Sequence, residues 1–138
     1  MIDIENDVFN IVATALRSAH SGVWVSGEYV AAPAHFPAVT IAEADNSVYL
    51  QSRTAGAIEN ATHVMYECKV WSNKINTKHQ EARAIAKTLD TAMENLGFTR
   101  TFFSPVPNLQ DASIYQLICR YEAVIVPNAD GKYYIHTN

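Results

Sequence analysis

Between Thr62 and Phe98 the spacing of hydrophobic positions changes from that of a strand to that of a helix. Val64, Tyr66, Cys68 and Val70 alternate with His63, Met65, Glu67, Lys69 and Trp71. This period of two predicts a strand over Thr62–Trp71 with one apolar and one mixed face. After a connection from Ser72 to Thr77, Ala82, Ile85, Ala86, Leu89, Met93 and Leu96 fall on one helical stripe. Thr77 and Gln80 have capping-box spacing, in which each side chain satisfies a backbone N–H at the helix start. Gly97 supplies a left-handed end, and Phe98 is placed to fold back onto Met93. A strand feeding an amphipathic helix needs a sheet to lie on.

The flanking sequence provides one. Val8, Ile11, Val12, Ala15, Leu16 and Ala19 predict a first helix over about Ile4 to Ala19, with Asp3, Glu5 and Asp7 at its positive end and Arg17 at its negative end. Ser21 and Gly22 end it. Val23 to Val30 predicts a short or bulged strand, interrupted at Ser26 and Gly27. Ala31 to Pro37 is a connection, and Ala38 to Ala44 a second strand. Residues 45–61 are undecided, with a helical turn around Val48 to Gln51 as one option and a flexible or binding loop as another.

Beyond the central unit, Thr99 to Val106 predicts a strand ended by Pro107 and Asn108, and Asn108 to Ala112 has turn chemistry. Ser113 to Val126 has the longest strand signal. Tyr115, Leu117, Cys119, Tyr121, Ala123 and Ile125 share one face, and Gln116, Arg120 and Glu122 mark the other. Pairing of this strand with Thr62–Trp71 would bring Glu67 and Lys69 near Arg120 and Glu122. The tail, 127–138, carries the turn signal Asp130-Gly131 and predicts a last edge strand or an arm for a neighbour. The expectation is one α+β domain over residues 1–138, with a mixed or mainly antiparallel sheet and two main helices on one face.

Composition agrees with this pattern. The chain has 138 residues, 49% of them hydrophobic, enough to bury a core in one domain. No apolar run reaches the roughly 18–20 residues needed to span a bilayer, and the N-terminus is acidic where a secretory signal is basic. The expectation is a soluble chain made in the cytosol. Cys68 and Cys119 both fall on apolar registers, where buried thiols are expected and a disulfide stays open. The net charge of −4 is unevenly distributed: residues 1–67 hold eight acidic and two basic side chains, residues 69–87 one and five, and residues 88–138 five and three.

Motifs for catalysis are sparse. His20, His35, His63, His79 and His136 form no zinc-ligand spacing. Cys68 and His63 point to opposite faces of one strand, which separates a nucleophile from its base. The glycines fit neither a nucleophile elbow nor a phosphate loop. Neither an enzyme nor a cofactor is expected. The basic front of the second helix is the notable charge feature: Lys78, His79, Arg83 and Lys87 precede Asp90 and Glu94, against the helix dipole. It reads either as a solvated face or as a docking patch. Nucleic-acid binding would need a more basic domain or an aromatic stacking motif.

Tyr66-Glu67-Cys68-Lys69-Val70-Trp71-Ser72-Asn73, the Ala-rich helix to Met93, Gly97-Phe98, Pro107-Asn108, Ile114-Tyr115 and Arg120-Tyr121 occur in an order that resembles the tail terminator proteins of long-tailed bacteriophages. These are also called tail-completion or head-tail joining proteins. The resemblance covers nearly the whole chain, although its motifs are mostly core and turn residues. It implies an α+β domain that assembles into a homohexameric ring, caps the tail tube, stops its growth and presents the head-joining surface. It also implies the tube protein and the head-tail connector as partners, DNA passing through without specific binding, no membrane partner, and a place at the head-tail junction of a virion assembled in the bacterial cytoplasm.

A head-tail connector or adaptor is the alternative within virion assembly, and a small-ligand domain the alternative outside it. The resemblance carries over no site residues. From the residues themselves, the interface candidates are Met65, Lys69 and Trp71 on the mixed face of the strand and Lys78, Arg83 and Lys87 on the helix. A Trp/Met strip on that face either stays exposed for a partner or lies under the first helix or the C-terminal tail.

Overall fold

A computed structural model describes residues 1–48, 61–107, 111–127 and 133–136. Helices α1 (Glu5–Ala19) and α2 (Lys78–Asn95) accompany strands β1 (Trp24–Ser26), β2 (Ala38–Val48), β3 (Thr62–Ser72), β4 (Thr99–Val106), β5 (Tyr115–Pro127) and β6 (Tyr133–His136). The strands form one sheet in the order β1-β2-β3-β5-β4, with β6 also bonded to β5. Among the described residues, β1–β2 is parallel and the other pairings are antiparallel. The chain is therefore a single α+β domain with a mixed, mainly antiparallel sheet.

Alternation along the strands decides where the core lies. Val64, Tyr66, Cys68 and Val70 of β3 and Leu117, Cys119, Tyr121, Ala123 and Ile125 of β5 join one buried cluster with residues of both helices. Both helices thus cover the same face, the usual way for a sheet and its helices to bury their apolar sides together. The edge of the Phe98 ring meets Tyr66 at a centroid distance of 5.5 Å.

The C-terminus of α2 forms as its sequence predicts. Gly97 has φ 94°. Its N–H donates to the Glu94 carbonyl at 2.9 Å, and the Phe98 N–H donates to the Met93 carbonyl at 3.0 Å. These are the two bonds of a Schellman motif.

The N-terminus of α2 differs. Thr77 is the N-cap, but its side chain makes no capping bond. Ser72 holds the junction instead: its hydroxyl donates to Glu81 at 2.6 Å and accepts from the Lys74 N–H at 3.3 Å. A first-turn carboxylate is thereby tied to the end of β3, which fixes the helix entry without the box.

The stripe on α1 is also rotated from the predicted one. Val8, Val12, Ala13 and Leu16 are buried, whereas Ile11 is 51% exposed. The helix packs against α2 as well as the sheet, and His20 Nε2 reaches Thr88 Oγ1 at 2.8 Å.

Two further expectations change. The undecided stretch 45–61 begins as strand, because β2 runs on to Val48 opposite Thr62. A register shift between Glu43 and Asp45 re-phases its alternation, and such a bulge hides a continuing strand from a period-two reading. Residues 49–60 of that stretch lie outside the described residues.

The strand expected over Val23–Val30 is only Trp24–Ser26. Because β1 and β2 are parallel, residues 27–37 must return across a face of the sheet, and the helices occupy one face. The return takes the other: Tyr29 reaches the Lys69 ammonium there, Pro33 is buried, and Ala38, Thr40 and Trp71 beside it are at most 3% exposed.

At the C-terminus, 133–136 pairs antiparallel with β5 as an edge strand. The turn expected at Asp130-Gly131 and the start of the one expected at Asn108 fall on residues outside those described, while Asp111 accepts hydrogen bonds from the Ser113 N–H and hydroxyl.

Gly97→Ala should destabilise the chain by about 1–2 kcal/mol, the cost of placing a Cβ in the left-handed region. A lower urea midpoint at unchanged slope would report it. An unchanged midpoint would mean that the Schellman end contributes nothing measurable.

Candidate functional site

The six interface candidates do not form one surface. Met65, Lys69 and Trp71 lie on the helix-free face, while Lys78, Arg83 and Lys87 lie on α2. Trp71 is only 1% exposed, so of the two alternatives for the Trp/Met strip the covered one holds at this position. The 27–37 return, whose Tyr29 reaches Lys69 on the same face, crosses that end of the sheet. Lys69 is mostly enclosed too, with its ammonium 4.7 Å from the Tyr29 ring centre and 3.9 Å from Glu67. Met65 is half-buried between its partners Asp45 and Glu122.

The rest of the helix-free face is a ladder of charges. Arg120 sits opposite Glu67 in the β3–β5 register and donates to its carboxylate at 3.0 Å. The Arg120 guanidinium also lies over Phe102, 4.9 Å from the ring centre. His63 reaches Glu122 at 3.0 Å through Nε2 and Asp45 at 3.3 Å through Nδ1. The cross-strand meeting of Glu67 with Arg120 follows the sequence expectation. Glu122 turns to His63, and Lys69 stays beside Glu67 on its own strand.

The basic front of α2 divides in two. Lys78 donates to the Ala112 carbonyl at 2.9 Å, and His79 stacks on Tyr115 with ring centres 4.0 Å apart. These two groups tie the helix start to the approach to β5. Arg83 and Lys87, a turn further on, open onto a groove of about 500 Å³ between α2 and β4, which Asp90, Arg100 and Phe103 also line.

Phe103 lies between two guanidiniums, with Arg83 at 5.5 Å and Arg100 at 5.7 Å from its ring centre. Contacts of this kind favour a cation over an aromatic face. Asp90 accepts from Arg100 at 3.2 Å and from the Tyr121 hydroxyl at 2.9 Å. It therefore balances one of the three cations. Arg100 and Phe103 were not singled out in the sequence, because their meeting with α2 depends on β4 lying at the sheet edge beside it.

A second groove, of about 490 Å³, opens at the other edge of the sheet between the start of α1 and β1. Its walls include Asp3, Glu5 and Glu28, with Phe9 and Val25 among its apolar groups. Carboxylate oxygens of Asp3, Glu5 and Glu43 all lie within 4.8 Å of one another. Glu43 also accepts from the buried Tyr66 hydroxyl at 3.3 Å. Burial pushes the Glu43 carboxyl upward, opposed by hydrogen bonds from Asn46 and Tyr66 and reinforced by the charges of Glu5 and Asp3.

The cysteines are opposite each other in the β3–β5 register, free and buried. Burial pushes the Cys68 thiol well up and the Cys119 thiol up to about 11. Thiols in that range are protonated near neutral pH, and both pack in the core.

A comparison with protein-family models returned no match, and a comparison with curated proteins returned none.

The acidic groove makes stability depend on pH with a defined sign. The Glu43 carboxyl titrates higher in the folded chain than in the unfolded one, so the folded state holds the extra proton and stability falls as pH rises through that window. Glu43→Gln keeps an acceptor for Tyr66 and removes the charge. It should raise the thermal midpoint at pH 7, and the gain should vanish below the ordinary carboxylate range. A midpoint unchanged or lowered at pH 7 would contradict this.

Proposed function

We propose that this chain is a structural virion-assembly protein, a tail terminator that closes the tail tube of a long-tailed phage as an oligomeric ring and offers the head-joining surface. The observation that carries the proposal is where the resembling segments fall. Tyr66 to Asn73 runs along β3 and out of it, α2 leads to the Gly97-Phe98 turn, and Ile114-Tyr115 and Arg120-Tyr121 open and cross β5. These are the paired central strands and the helix that covers them. The α+β arrangement, with both helices on one face, is also the one the resemblance implies.

The surface chemistry supports an assembly role. Among the described residues, charged grooves lie at both edges of the sheet. In this proposal the partners are further copies of the chain, the tube protein below and the connector above, with DNA passing through the ring.

Deleting the protein from a phage that encodes it should leave tails that overrun their normal length and fail to join filled heads, and adding back purified chain should restore both. Native mass spectrometry of the purified protein should show a ring of about six subunits. Normal tail length and normal joining in its absence would overturn the proposal. Recovery on filled heads, with none on isolated tails, would instead assign it to the connector.

A further inference from the structure

We infer that the basic groove between α2 and β4 receives the acidic edge of a second copy of the same chain, so that subunits join head to tail through opposite edges of their sheets. This rests on the assembly role proposed above and names the contact that would close the ring.

Three observations lead to it. The first is position. The basic groove lies at the β4 edge and the acidic groove at the β1 edge, the two ends of the strand order. Four strand spacings separate those ends by about 19 Å. A surface at one end meeting its complement at the other makes a heterologous contact, the kind that builds rings when the rotation closes.

The second is charge. Arg83, Lys87 and Arg100 gather at one groove with Asp90 as their internal counter-charge, while Asp3, Glu5 and Glu28 line the other, with no cation among its described walls. Repulsion there is already felt within the chain, since Glu5 and Asp3 help push Glu43 upward. An incoming cation relieves it. Such complementarity mainly sets which surfaces meet and in what register.

The third is that each groove pairs its charges with a half-buried ring. Phe103 lies under the two guanidiniums, and Phe9 sits in the acidic groove. Aromatic groups with charges around them are the usual composition of a desolvated contact centre. A polyanion such as DNA could also meet the basic groove, but it has no use for the acidic one, whereas a second copy engages both.

The test uses two charge-reversed full-length chains, R83E/K87E and E5K/E28K, each with thermal unfolding measured to establish that it folds. Wild-type assembly should weaken with added salt. Each variant alone should need roughly a hundredfold higher concentration to assemble, because like charges then face each other. An equimolar mixture should recover assembly with the two chains in equal numbers, since every contact is again complementary.

Rescue on mixing would exclude misfolding as the cause of the single-variant losses. Rings formed by R83E/K87E alone at wild-type concentration, or a mixture that stays monomeric, would overturn this contact and leave the assembly role standing. A wild-type chain that is monomeric at every concentration would remove both. Loss of duplex-DNA binding in R83E/K87E with assembly intact would reassign the groove to nucleic acid and overturn the inference.

Discussion

The pairing of β3 with β5 is the constraint on which the other features depend. The two strands stay in register without a shift from Thr62 opposite Ile125 to Ser72 opposite Tyr115. That register places four β3 residues and five β5 residues on the side of the helices, and Glu67 opposite Arg120 on the other. A slip of one position would exchange the two faces, exposing Tyr66 and Leu117 and burying a lysine and an arginine. The cost of burying those charges without partners makes the register close to obligatory. The helices, the edge strands and both grooves take their places from it.

Two buried tyrosines extend that constraint outward. Tyr66 and Tyr121 are at most 1% exposed, yet each hydroxyl reaches a carboxylate, Glu43 in one case and Asp90 in the other. Burial raises both phenols far above their usual range, so both stay protonated and donate. The two acids are thus oriented from the core, one toward each edge of the sheet. Asp90 in turn holds Arg100 beside Phe103, which links the packing of the interior to the shape of the basic groove.

Much of this was legible in the residues because local chemistry enforced it. The strand over Thr62–Trp71, the α2 stripe and the Gly97 end depend on period and on glycine's conformational freedom, which neighbours in space do not alter. Several places where sequence reasoning failed involve a partner from far along the chain. Trp71 lies on the mixed face by parity, and parity alone leaves it open to solvent; only the parallel pairing of β1 with β2 sends residues 27–37 across it. Ile11 fits the α1 stripe but faces outward because the helix also leans on α2. The continuation of β2 to Val48 was hidden by one bulged position. The helix side of the candidate surface was visible in Arg83, Lys87 and Asp90, whereas Arg100 and Phe103 come to it from β4.

The ladder of paired charges on the helix-free face also limits the directions in which the protein can grow. Stacking another layer on that face would strip water from Glu67, Arg120, His63 and Glu122 while they are already bonded to one another. A newcomer would gain little from groups whose partners are in place and would still have to cover their desolvation. The opposite face is sealed by helices. If the proposed assembly forms, its directions of least resistance lie in the plane of the sheet, along its edges, and it spreads as a single layer one molecule thick.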